Sequence, residues 1–337
     1  MRDKIIYLLG YKSGHTHTYP QSRFNEVLSF LGYDVRWVNI EEIDSTTENR
    51  IFICWDQPSS HVLVQKGYYK PGDIILQKVT ALVPAYKSHA HLNWGVTKES
   101  VTNLFKSIDW SAYQMVQNLL DENINIYGFG CRTAYGAFPK KNVLVNQLLK
   151  SERLFYHPWG PCLYDKKELE SAAPIIDNFK FDIGYVGSIW GIKGRGNVDT
   201  ISDFLVPLTK GKNCALGGIG TPLGKVSDEQ HKHILKSSKL CPIVNALVWN
   251  TEKGVQDRFW SVFASGRFGV VDNEGVYSFF NRDEVICSTE SGDYIEKSEY
   301  YLNNPEKQLP FIEKVLSRIK SEYNWYNTWS TIMNNIK

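Results

Sequence analysis

Apolar residues in this chain fall into short continuous runs, separated by longer segments in which they recur every three or four positions. That pattern predicts buried parallel strands alternating with covering helices. Lys4 to Leu9 is predicted as a buried strand, residues 10–21 as a polar loop, and Ser22 to Leu31 as a helix with Ser22 at its N-cap. Strands follow at Val35 to Asn39, Ile51 to Trp55, Asp73 to Gln77 and Ile124 to Gly128, with a long helical stretch from about Thr102 to Leu120. Tyr164 to Phe179 is charged, has little strand character, and reads as a linker near the midpoint. The alternation then restarts with a strand at Phe181 to Gly187, a helix at Val198 to Leu208, a strand near Cys214 and a helix at Asp228 to Ser237. It continues with a strand at Pro242 to Leu247, a helix at Val255 to Ser265, and strands at Phe268 to Asp272 and Glu284 to Ser288. Helices at Gly292 to Leu302 and Glu306 to Tyr326 close the pattern, punctuated by Asn303, Asn304 and Pro305. The expectation is two α/β halves in series, each a parallel sheet covered by helices.

Composition agrees with two domains, since 337 residues exceed one ordinary core. The 42% hydrophobic and 22% charged content is globular, and the 13% aromatic content suits large cores and sugar-stacking surfaces alike. A net charge of +2 gives little electrostatic reason for a nucleic-acid polyanion as main partner. The first apolar run, Ile5 to Leu9, is too short for a signal peptide, and no run approaches a membrane span, so a cytoplasmic chain is expected. Six cysteines without a C-x-x-C pair read as reduced thiols.

Parallel α/β sheets bind ligands at the carboxyl ends of their strands, so the loops there carry the candidate chemistry. In FDIGYVGSIWGIKGRGN, residues 181–197, a strand runs into glycines, Ser188, Lys193 and Arg195. Glycines let the backbone approach a phosphate, a following helix offers N–H groups, and the two cations supply charge. The same composition also fits a mobile basic loop. In VQDRFWSVFASGRFGVVDNEG, residues 255–275, Arg258 stands in the first turn of a helix, where the macrodipole disfavours it unless an anion or an acid such as Asp257 lies alongside.

These two segments resemble the CgeB-like glycosyltransferases of the glycosyltransferase group 1 type and, more distantly, the phage DNA β-glucosyltransferases. Asp182, Ile183, Tyr185, Gly187 and Ser188 match a D-V/I-x-F/Y-x-G-S strand end. Arg258, Phe259, Trp260, Ala264, Ser265 and Gly266 match an R-V-F/W-E-x-L-A-S/C-G helix, followed by a strand at Phe268 to Asn273. The helical segment 299–308 looks like the one that closes such domains.

The resemblance implies an α/β GT-B fold, two Rossmann-like domains facing each other across a cleft. Residues 1–168 would bind the acceptor and 169–314 the nucleotide-sugar, with a C-terminal helix, about 315–337, returning to the N-terminal domain. It implies a hexosyl- or pentosyltransferase whose donor diphosphate meets Gly187 and Ser188 and is neutralised by Lys193 or Arg195 together with Arg258. Trp260 and Ser261 join the implied donor-binding set. Ser261 stands where the family has a glutamate that holds the donor ribose, and serine is shorter and uncharged. In the N-terminal half of such a fold the first loop faces the cleft, making His15, His17 and Arg23 candidates, with a histidine as general base in an inverting reaction. Asp56 is the rival base, and its plain alternative is a turn residue ahead of Pro58.

Other signals carry less. Six histidines form H-x-H pairs at 15/17, 89/91 and 231/233, but His231 and His233 diverge on a helix and no acid or cysteine cluster accompanies the others, so no metal site is expected. The chain has no D-x-D, which favours transfer without a metal ion. GGIGTPLGK fails as a phosphate-binding P-loop at Ile219 and Val226 and reads as a turn lining the donor pocket. GFGCRTAYG fails as a dinucleotide fingerprint at Thr133, so no cofactor is expected beyond the nucleotide-sugar substrate. The acceptor is expected to be a glycan before a hydroxymethylated DNA base, because a duplex-binding cleft usually carries a basic surplus. The competing reading, prompted by Ser261, is a non-catalytic nucleotide- or sugar-binding protein on the same scaffold.

Overall fold

The computed structural model describes residues 4–10, 12, 18–55, 57–78, 124–130, 148, 151–157, 160–161, 163–192, 195–246, 250 and 254–336. These divide into two compact units: one runs from Lys4 to His157 and adds Trp325–Ile336, and the other runs from Gly160 to Asn324.

The first unit is built on a parallel sheet of β1 (Ile5–Leu9), β2 (Asp34–Val38), β3 (Ile51–Cys54), β4 (Ile74–Lys78), β5 (Ile126–Gly130) and β6 (Leu154–Tyr156), in the order β2-β1-β3-β4-β5-β6. Its central strands are buried on both faces, which is why they read as continuous apolar runs. One face packs Tyr7, Leu9, Phe52, Cys54, Ile75 and Ile126 with Leu63 of helix α2 (Gln57–Gln65). The other face is aromatic. Phe24 of helix α1 (Thr18–Phe30) stacks on Trp325 at 4.5 Å and 2°, and Trp329 meets Phe24 and Phe129 edge-on at 5.2 and 5.3 Å. Each such ring pair adds roughly 0.5–1.5 kcal/mol beyond area burial. At the amino ends of β3 and β4, Arg50 and Asp73 form a fully buried ion pair at 2.8 Å. Arg50 Nη1 donates to Asp44 O at 2.9 Å, and the backbone N–H groups of Arg50 and Lys70 donate to the Asp73 carboxylate at 2.8 Å each.

The linker expected at Tyr164 to Phe179 is instead ordered against the second unit. Asp165 caps helix α3 (Lys166–Ser171) in a reciprocal capping box with Glu168. Arg267, 0% exposed, donates to Ile175 O and Lys239 O and lies 4.4 Å from the Phe179 ring centroid. A long-range cation therefore holds a segment whose local sequence looked unattached.

The second unit's sheet contains β7 (Phe181–Val186), β10 (Cys214–Gly217) and β11 (Ser238–Leu240), in the order β10-β7-β11. Parallel pairing continues through Ile243 to Val271 and through Val271 to Cys287, so the strands expected around these residues contribute single bridges rather than full ladders. Pairing along the third of them begins four residues before the expected Pro242, which has no N–H to give. Between β7 and β10, helix α4 (Val198–Thr200) runs through a π turn at Ile201–Leu205 into α5 (Val206–Thr209), which carries Pro207 at its start. Helix α6 (Asp228–Lys236) follows β10, α7 (Asp257–Ala264) leads into the Val271 strand, and α8 (Ser291–Asn303) follows the Cys287 strand.

The long helix expected from Glu306 to Tyr326 is two. Helix α9 (Leu309–Ser321) stays in the second unit, and Asn324 ends it by donating to Ile319 O and Lys320 O at 3.2 and 2.7 Å. Helix α10 (Trp325–Asn335) then belongs to the first unit. The returning element thus begins at Trp325, and residues 315–324 belong with the second unit.

Candidate functional site

β7 lies between β10 and β11, so the chain's path reverses about it, and open parallel sheets bind ligands at the carboxyl end of such a strand. Gly187 and exposed Ser188 stand at that end. The loop they begin is tied down. Asn197, 5% exposed, donates to Ser188 O at 3.0 Å and accepts from Trp190 N–H at 2.8 Å, closing a hairpin of β8 (Gly191–Ile192) and β9 (Arg195–Gly196). The loop after β10 packs alongside, with Gly187 N–H on Gly217 O and Ile189 N–H on Ile219 O. Gly218 must be glycine there, because its φ is +127° and a Cβ would come within 2.4 Å of Gly187 O. GGIGTPLGK is therefore a turn supporting the Ser188 loop. Lys193 and the side chain of Arg195 lie outside the described residues.

Arg258 reaches this strand end from the first turn of α7. Its guanidinium is held by main-chain carbonyls rather than by a carboxylate: Nε donates to Val186 O at 3.2 Å and Nη1 donates to Val244 O. The Tyr185 ring supports it, with Cζ 4.5 Å from the centroid. A Cβ on Gly187 would lie 2.1 Å from Nη2, so glycine is what admits the guanidinium. Asp257, the acid expected beside it, is exposed. A cation is thus fixed at the carboxyl ends of two adjacent strands by bonds to main-chain carbonyls.

Behind Arg258, the carboxylate of Asp272 is fully buried. It accepts from Asn245 N–H at 2.8 Å, Asn245 Nδ2 at 2.6 Å and Asn250 Nδ2 at 3.0 Å. Burial nonetheless raises its pKa from 3.8 to about 6. Between those values the folded chain holds a proton that the unfolded chain has released. Stability from this group is therefore greatest below about pH 4 and falls as pH rises to about 6. The melting-temperature difference between wild type and Asp272→Asn should change across that interval and level off above it. Scanning calorimetry from pH 4 to 7 checks this, and a constant difference would refute the assignment.

Trp260 is 0% exposed, in a ring cluster with Phe259, Phe279, Phe280 and Tyr323, and Ser261 is 2% exposed in α7, which is buried all round from Phe259 to Ala264. The structure places both in the core beside the strand end, not on its surface. His231 and His233 diverge as their spacing requires: His233 is exposed, whereas His231 is turned inward, with burial first and Arg258 second lowering its pKa to about 4. Among the described residues no cluster of three metal-ligating side chains occurs.

In the first unit, His15, His17 and Asp56 lie outside the described residues, and Arg23 pairs with Glu26 at 2.6 Å. Two groups unmarked in the sequence stand at the carboxyl end of this sheet. Lys78 closes β4 with Nζ 3.7 Å from the Trp55 ring centroid, and burial lowers its pKa to about 7. His157 follows β6, packed against Phe24, Phe129 and Trp325, and burial reinforced by Lys78 lowers its pKa to about 3. Their sequence signal was only position, each one residue past or at the end of a strand.

Residues 202–334 match a family described as glycosyl transferase-like. No protein of curated function matches the sequence. Among solved structures, the chain is similar to an α-glucosyltransferase in complex with UDP-glucose and DNA containing an abasic site, with TM-score 0.56, 11% identity, and 99% of each chain covered. It is also similar to the DNA-modifying enzyme β-glucosyltransferase, studied with and without uridine diphosphoglucose, with TM-score 0.52, 12% identity, and 98% of this chain and 99% of that one covered. No helix of the described residues is long and apolar enough to cross a membrane. The shared fold over nearly the whole length makes this an α/β chain of the GT-B fold, with the glycosyl transferase-like match confined to residues 202–334.

Proposed function

We propose that the chain transfers a sugar from a nucleoside-diphosphate donor to an acceptor hydroxyl, without a metal ion, and that the diphosphate sits at the carboxyl end of β7 against Gly187, Ser188 and Arg258. The observation that carries this reading is the Arg258 guanidinium, fixed at two strand ends by Val186 O and Val244 O with Nη2 beside Gly187. As the bond from the anomeric carbon to the diphosphate oxygen breaks, negative charge grows on the leaving group, and a preorganised cation stabilises it. Lys193 or Arg195, in the segment that follows Ser188, supplies further charge. The acceptor is a glycan or other hydroxyl compound, in keeping with a net charge of +2, with His15, His17 or Asp56 as the base of an inverting reaction.

The buried position of Ser261 favours one other reading, a nucleotide- or sugar-binding protein without turnover, because no carboxylate stands at that position to hold the ribose. Thermal shifts with UDP-, GDP- and dTDP-sugars, followed by assays for diphosphate release with and without acceptor, separate the two. One donor should stabilise the chain and be consumed, with chelator making no difference. Binding without consumption supports the second reading, chelator sensitivity removes metal independence, and no binding by any donor removes both readings.

A further inference from the structure

Tyr185 is 1% exposed in β7, yet its hydroxyl has no hydrogen-bond partner. A buried hydroxyl left unsatisfied costs roughly 1–3 kcal/mol, and phenylalanine would fill the same place without that penalty. The oxygen is not buried among apolar groups alone. The point where a Cβ on Gly187 would stand is 2.9 Å from the Tyr185 hydroxyl, 2.1 Å from Arg258 Nη2 and 3.0 Å from Arg258 Cζ. Hydroxyl and guanidinium therefore converge on one glycine, while the Tyr185 ring lies 4.5 Å from Cζ. Nε and Nη1 of Arg258 are committed to Val186 O and Val244 O, so Nη2 is the arm of the fork left beside Gly187 and Tyr185.

We infer that Tyr185 is a positioning residue for the leaving group. Its ring carries the Arg258 guanidinium, and its hydroxyl accepts from one Nη2 N–H when the other is aimed at a diphosphate oxygen. The arrangement explains why a polar atom is kept in an otherwise packed strand and why the next residue but one is glycine. It rests on the reading of Arg258 as a diphosphate ligand. Tyr185 acts through Arg258 and does not itself reach the donor, since its hydroxyl is sealed from solvent.

The test compares Tyr185→Phe, which keeps the ring, with Tyr185→Leu, which removes both features, and Arg258→Ala as reference. The probes are whichever of UDP, GDP and dTDP most raises the melting temperature of the wild type, and its parent nucleoside. Tyr185→Phe should weaken diphosphate binding about tenfold, the loss of one hydrogen bond to a charged group, leave nucleoside binding unchanged, and raise the melting temperature of the ligand-free chain. Tyr185→Leu should lose about tenfold more as the cation–π contact goes. Wild-type diphosphate affinity in Tyr185→Phe, or an equal loss for diphosphate and nucleoside, overturns the inference. If Arg258→Ala weakens diphosphate binding and Tyr185→Phe does not, the positioning role alone falls. If Arg258→Ala leaves diphosphate binding intact, or no diphosphate binds the wild type, the reading of the donor site falls and takes the positioning role with it.

Discussion

Replacing Arg258 with alanine is expected to lower kcat by about 10²- to 10³-fold, the effect of removing one preorganised electrostatic group from a developing anion. The donor KM should rise far less, because the diphosphate carries less charge on its bridging oxygen before departure than after it. The size of the effect follows from how the side chain is held. Val186 O and Val244 O fix two of its nitrogens, and Tyr185 lies under its plane, so the cation needs little reorganisation as the bond breaks. Lysine at this position should recover little, since an ammonium cannot bond two carbonyls in a planar fork and still present a third arm. Gly187→Ala is the companion, because its Cβ would displace Nη2 while every charge is retained. Steady-state kinetics on both variants, with calorimetry to confirm the fold, decides the assignment. Unchanged kcat in Arg258→Ala would remove it.

Much of this architecture was legible in the sequence because parallel strands buried on both faces leave continuous apolar runs. Ile51 to Cys54 and Ile183 to Tyr185 could hardly be solvent-facing. The convergence of Gly187, Ser188 and Arg258 at one strand end was partly legible too, since each belongs to a local pattern. What the sequence did not disclose depends on distant partners. The segment after Tyr164 looks detached by local polarity, and distant groups hold it: Arg267 donates to Ile175 O, Lys232 pairs with Glu168, and Lys320 donates to Ala172 O. The break at residues 322–324 depends on a side-chain cap from Asn324, which interrupts a helix whose apolar spacing continues across it. Trp260 and Ser261 matched a motif by spacing, but spacing does not say which way a helix turns, and both face the core. Lys78 and His157 carry no motif at all. Their proximity comes from β4 and β6 ending at the same edge of one sheet.

The largest stability effect is expected at the opposite edge of that sheet. Asp73→Ala should destabilise the first unit by about 3–5 kcal/mol, the cost of leaving a buried guanidinium without its counter-charge. Both members of the Arg50–Asp73 pair are 0% exposed, so water cannot replace the lost carboxylate. The loss extends beyond the pair. Asp73 also accepts the backbone N–H groups of Arg50 and Lys70, so two buried or half-buried donors at the starts of β3 and β4 lose their partner together. Arg50 would keep its bonds to Asp44 O and Tyr68 O, which hold the guanidinium in place rather than letting it escape to solvent. At the size of a two-unit chain, this should lower the first unit's melting temperature by about 10 °C or more. Hydrogen exchange should show early loss of protection in Ile51–Cys54 and Ile74–Lys78. Because the pair lies wholly in the first unit, nucleoside-diphosphate affinity at the carboxyl end of β7 should be unchanged below the new melting point. An apolar double replacement, Arg50→Met with Asp73→Leu, should recover part of the lost stability, since it removes the unpaired charge as well as its partner. A single variant as stable as the wild type would mean that the buried pair contributes nothing net, and that the apolar runs of β3 and β4 alone hold that edge of the sheet.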